Sequence, residues 1–186
     1  DTTGKELFSK NISEYTKDQD VYFNNIVVGA DNNVYACANS SVWVFDSNGG
    51  LLFKTESADS ENSWINSIVR AGDGKVYVLL NEYSNDVSKC SLKQIDPAVK
   101  GYGTVYEMST NNNSVYSGSN DYDVYINKNG TLVGYDFETA KETEIVNWVT
   151  CGVNSDNMQG MSILSDGRIV SYGYNYSGMG SVNGMS

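Results

Sequence analysis

Eight side chains that could hold a ligand fall into two aligned sets. Tyr22, Trp64, Asn112 and Asn157 take equivalent places in four successive units of the chain, and Asn24, Asn66, Ser114 and Gln159 follow two positions later in each. Both sets are amide, hydroxyl or aromatic, where the start of a purely structural strand requires none of these. Amides both donate and accept hydrogen bonds and rings cover apolar faces, a combination that suits carbohydrate hydroxyls or a peptide backbone. The plainer reading is that the same groups satisfy backbone atoms at a channel edge or hold water.

Other chemistry has fewer supports. The chain has no His, which removes Ser-His-Asp and Cys-His catalysis, imidazole acid-base work and most transition-metal sites. Four carboxylates, Asp31, Asp73, Asp121 and Asp166, recur at one place in the repeat, which makes them turn formers rather than a paired acid and base. Asp121-Tyr122-Asp123 opens like a calcium loop, but Ile126 stands where that loop needs Gly and Leu132 where it needs Glu. The three Cys residues, Cys37, Cys90 and Cys151, form no close pair; they are expected to be buried free thiols, with no disulfide framework and no zinc site. Gly178-Met179-Gly180-Ser181 has no strand-to-helix context for a phosphate. No catalytic residue, cofactor or metal is expected, and the chain reads as a non-enzyme.

The elements that position the two sets follow from the carboxylates. Each Asp opens a turn ahead of a β-branched residue, at Val34, Val76, Val124 and Ile169, and the four are spaced by 42, 48 and 45 residues. That period is about the length of a four-stranded propeller blade. With one Pro, 18 Gly and many Asn, Ser and Tyr residues, the 186-residue chain is expected to be all-β, a β-propeller segment of about four four-stranded blades. The units are a partial blade at 1–21, blades at 22–57, 63–109 and 112–153, and a partial blade at 157–186. Val42-Trp43-Val44-Phe45 lacks alternation, as a strand covered on both faces should. In the second unit Glu82–Asp86 reads as a polar excursion before a third strand at Ser91–Asp96. The last unit dissolves into a Gly/Ser-rich stretch after Tyr172. Asp1–Phe8 aligns on Asp46–Phe53, the turn and outermost strand of a blade. Ring closure through that strand and a segment of a larger ring both explain it; the segment is the expectation, and two such segments could close a ring of about eight blades by self-association.

A formal charge of −11 and a pI near 4.3 exclude a nucleic-acid partner. No apolar run is long enough to span a bilayer as a helix. The acidic, Lys-poor, Asn- and Tyr-rich composition points to an extracytoplasmic bacterial protein, secreted or attached to the cell surface.

The third strands and turns, Val44-Phe45-Asp46-Ser47-Asn48-Gly49-Gly50 and Gly134–Glu142, resemble the repeats of quinoprotein-like (PQQ-like) propellers, although Phe8 and Phe53 replace the Trp that follows the turn there. Tyr135–Thr139, Val146-Asn147-Trp148 and Met161–Arg168 are similar to the propeller domains of extracytoplasmic solute-binding lipoproteins of gut Clostridia. The second likeness implies a surface-exposed, non-catalytic module that binds a carbohydrate, peptide or protein ligand beside a sugar-type solute-binding domain. Two alternatives stand: a carbohydrate-active propeller enzyme with a carboxylate pair, and a purely structural scaffold.

Overall fold

Asp31, Asp73 and Asp166 build their turns through the backbone. Their Oδ1 atoms accept from the N–H groups of Asn33 (3.1 Å), Lys75 (2.9 Å) and Arg168 (3.1 Å), donors that a tight hairpin leaves unpaired. The residue after the acid takes the left-handed conformation, Asn32 at φ 61° and Gly74 at φ 81°, which Gly and Asn adopt most readily. In the first two units the second carboxylate oxygen is capped from the following strand: Tyr35 donates to Asp31 at 2.7 Å and Tyr77 to Asp73 at 2.9 Å. The third turn is built differently, with Asp123 Oδ2 accepting from the Phe137 N–H at 2.7 Å.

The computed structural model describes residues 9, 11–16, 21–38, 40–56, 62–84, 86–108, 112–118, 121–128, 130–148, 150–151, 158–164, 166, 168–173, 175–177 and 180–182. One short helix, α1 (Ser13–Thr16), precedes the strands. The first sheet is β1 (Asn25–Val28), β2 (Val34–Ala38), β3 (Ser41–Phe45) and β4 (Leu51–Lys54). The second is β5 (Ser63–Arg70), β6 (Val76–Ser84), β7 (Val87–Asp96) and β8 (Gly101–Met108). The third is β9 (Asn112–Ser117), β10 (Val124–Lys128), β11 (Thr131–Asp136) and β12 (Lys141–Asn147). Each of the three is an antiparallel meander in chain order. Then come two hairpins, β13 (Met158–Ile163) with β14 (Ile169–Gly173), and β15 (Asn175–Ser177) with β16 (Gly180–Val182).

The first strands lie side by side, β1 against β5, β5 against β9 and β9 against β13, so the sheets fan out from a common inner line. Ser67 Oγ accepts from the Val115 N–H at 2.9 Å, and Ser117 Oγ donates to the Arg70 carbonyl at 2.8 Å, tying β5 to β9. This is an all-β propeller architecture.

Its cores lie between sheets, not within them. Tyr35, Cys37, Val42, Val44 and Phe53 of the first sheet pack on Ile65, Val76, Val78, Leu80 and Ile95 of the second. Tyr77, Leu79, Cys90 and Leu92, on the other face of the second sheet, pack on Val115, Val124, Ile126, Val133 and Tyr135 of the third. Val76 through Leu80 are therefore buried without a break, because alternate residues feed different cores. A polar staple joins the first two sheets: the Val42 N–H donates to Thr55 Oγ1, that hydroxyl to Tyr102, and the Tyr102 hydroxyl to the Ser40 carbonyl. The outer face of the first sheet, with Trp43 and Phe45, is covered by Tyr15, Val21 and Phe23.

Three expectations change. Glu82–Asp86 is no excursion: β6 and β7 pair without interruption from Val76↔Ile95 to Ser84↔Val87. Its residues are polar because this part of the hairpin projects past its neighbours and is not sandwiched. The stretch after Tyr172, which in sequence lacks a convincing third and fourth strand, contains the hairpin β15–β16. Of the three thiols, Cys37 and Cys90 are buried, but Cys151 is exposed, since it follows the last strand of its sheet. Burial pushes the Cys37 thiol up to about 12. The reading of Asp1–Phe8 as an outermost strand lies outside the described residues.

Candidate ligand-binding end

The β1–β2 and β3–β4 turns of each sheet lie at one end of the fan; the β2–β3 turns and the starts of the inner strands lie at the other. Both aligned sets of candidate residues fall at this second end.

Register defines the positions more finely than sequence spacing. In the second sheet Ile65 pairs with Leu80 and Ser67 with Leu79, so Asn66 is an extra residue, a β-bulge. In the third, Asn112 pairs with Lys128 and Ser114 with Asn127, which leaves Asn113 as the extra residue. In the fourth unit Met158 pairs with Gly173 and Gly160 with Tyr172, leaving Gln159. In the first sheet Asn25 pairs with Cys37, and the Asn24 N–H donates to the Cys37 carbonyl at 3.1 Å, which puts Asn24 at the matching place. An amide residue thus stands at one structural position in all four units: Asn24, Asn66, Asn113 and Gln159. Asn113 replaces Ser114 in this set, because six residues separate the paired Ser117 and Val124 in the third unit and five separate Arg70 and Val76 in the second, which moves the inner strand by one residue against the turn.

Side-chain environments divide the candidates. Tyr22 is 77% exposed and Asn24 is exposed. Trp64 is 49% exposed, and Asn66 is half-buried. Ser114 is half-buried on β9, where its hydroxyl bonds Tyr116, whose phenol burial pushes above its ordinary range. Asn112 opens β9, but its side chain, like those of Asn113 and Gln159, is outside the described residues, as is the whole of Asn157.

The hairpin carboxylates sit at the far end and are engaged in their turns. Asp31 is opposed by partial burial, yet the bonds from Tyr35 and Asn33 hold its carboxyl below the usual carboxylate range. The Arg168 side chain and N–H do the same for Asp166.

No protein-family model matches the chain, and no characterised protein matches it in sequence. Solved structures do match in fold. A protein of unknown function from Bacteroides caccae superposes with a TM-score of 0.57 at 8% identity, over 89% of this chain and 62% of that one. The extracellular domain of BT4673 from B. thetaiotaomicron gives 0.53 at 16%, over 88% and 22%. Streptogramin B lyase gives 0.52 at 13%, over 84% and 55%. The fold is shared; identities this low carry nothing further. The chain spans less than two thirds of each of these structures.

One expectation is corrected by these likenesses. The lack of His points to a non-enzyme, but the fold the chain shares is also that of a lyase, so the expectation of a non-enzyme does not stand.

Proposed function

We propose that the chain is an extracytoplasmic propeller module that binds a carbohydrate or peptide ligand at the inner-strand end, accessory to a solute-binding lipoprotein. The observation that carries the reading is the amide residue repeated at one place in four units, at a bulge in three of them. A bulge breaks the ladder locally and re-aims a side chain, and such bulges concentrate beside binding sites. Asn24 and Asn66, with Tyr22 and Trp64 two residues before them, are the accessible members. The extracellular domain of BT4673 supports the compartment by fold likeness. Self-association is supported by the exposed apolar side chains of Ile26 and Val28 on β1 and of Val170 and Tyr172 on β14.

The test is a glycan and peptide array probed with the purified chain, followed by titration of the hits against Asn24→Ala and Asn66→Ala. A loss of affinity of at least tenfold in either variant is expected. Hits bound equally well by both variants would remove the inner-strand assignment.

A further inference from the structure

The second sheet is taller than its neighbours at the binding end. Counting from the valine that follows each turn, β2 ends at Ala38 and β10 at Lys128, both level with Leu80, whereas β6 continues to Ser84. Four further residues raise the hairpin by about 13 Å. Trp64 pairs with Asn81 and Tyr83 with Ser88, and directly opposed residues share a face of the sheet. Asn81 also pairs with Cys90, which belongs to the core toward the third sheet. Trp64 and Tyr83 therefore stand on the face directed to the third sheet, above the level where that sheet turns at Gly130. Among the described residues no strand of the third sheet opposes them there, and they remain 49% and 43% exposed.

We propose that this shelf is a carbohydrate subsite that takes a neutral oligosaccharide, with the Trp64 and Tyr83 rings against the sugar's C–H faces. The proposal rests on the reading of this end as the binding end and names its ligand class. Aromatic rings bring large contact area at small cost in conformational entropy, and their polar tips keep hydrogen-bonding capacity at a wet surface. Asn66 lies on the same strand two residues from Trp64 and offers both a donor and an acceptor for hydroxyl groups. The net charge of −11 opposes acidic sugars and phosphorylated ligands, which leaves the neutral class. The tyrosine is already oriented, because its hydroxyl donates to Asp86 at 3.1 Å.

The test uses the chain's own fluorescence. Trp43 and Trp148 are 5% and 8% exposed, so Trp64 is the accessible indole of the three. The wild-type chain is titrated with cellotetraose, maltotetraose and xylotetraose while indole emission is followed, and with an uncharged apolar peptide as control. At least one sugar is expected to shift or quench the emission. Trp64→Ala and Tyr83→Ala, each checked for a native thermal transition, should weaken calorimetric binding at least tenfold, and Trp64→Phe should retain part of it. Three results overturn the proposal: no sugar perturbs wild type, the peptide alone does so, or sugar binding survives in Trp64→Ala. Asn66→Ala separates the two levels of inference. Binding lost there but kept in Trp64→Ala removes the shelf and keeps the inner-strand site; the reverse keeps the shelf and removes that site.

Discussion

Each end of the second sheet carries a tyrosine whose hydroxyl donates to an aspartate, and the two pairs share their chemistry but not their setting. At the β5–β6 turn Tyr77 is 1% exposed, bonds Asp73 at 2.9 Å and packs against Phe137 with ring centroids 4.6 Å apart. Burial first, and then Asp73, push its phenol far above the ordinary range. At the β6–β7 turn Tyr83 is 43% exposed and bonds Asp86 at 3.1 Å. The third sheet covers the first pair, and its described strands stop short of the second. One end of the sheet is thus committed to holding blades together, while the other presents aromatic surface to solvent. Lengthening one hairpin thus separates a packed end from an exposed end within a single unit.

The sharpest way to break this comparison is to delete apolar bulk at each end. Leu92, fully buried between the second and third sheets, should cost about 2–5 kcal/mol on replacement by Ala, measured by urea unfolding. Trp64→Ala should cost about 0.5 kcal/mol, although it removes the larger side chain. Equal losses would mean that the projecting end is also core. Removing one hydroxyl from each pair sharpens the contrast. Tyr77→Phe leaves a carboxylate oxygen without its donor and should destabilise by about 1.5 kcal/mol. Tyr83→Phe should fall within about 0.5 kcal/mol of wild type, because water replaces the lost bond.

Acid should act on the scaffold end first. The Asp31 carboxyl is held below its ordinary 3.8 in the folded chain, so its bonds stabilise the fold above that value and are lost as pH falls through the lower, folded value. The thermal midpoint should decline below about pH 4, and Asp31→Asn should flatten part of that decline. A decline of the same size in the variant would place the acid sensitivity elsewhere. A change of opposite sign is expected at Lys100, which holds φ 54° in the β7–β8 turn. Lys100→Gly relieves a conformation that costs an L-residue about 1 kcal/mol, and should raise the midpoint slightly.

Much of the scaffold was legible because its determinants are local. An Asp that bonds a backbone N–H two residues on writes its turn into a few consecutive positions, and three such turns expose the repeat. The same locality explains the third unit, where Asp123 takes a longer-range bond to Phe137 and the turn cannot be inferred from the other three. In sequence the projecting hairpin reads as an excursion, since Glu82–Asp86 lacks the apolar residues that mark a sandwiched strand. The site was legible only in outline. Asn24, Asn66 and Gln159 stood out by alignment, whereas Asn113 required the inter-strand register.

By itself the sequence determined an all-β chain of repeated hairpins, the acidic turn at each, and the strands buried on both faces, because hydrogen bonds and hydrophobic periodicity over a few residues dictate them. The tertiary structure alone decided which residue bulges from each inner strand and which aromatic rings stay in solvent. Bulges are set by pairing between strands, and the exposure of Trp64 and Tyr83 is set by how far their hairpin rises past the described strands of the neighbouring sheet. Neither quantity is a property of the residues around them in the chain.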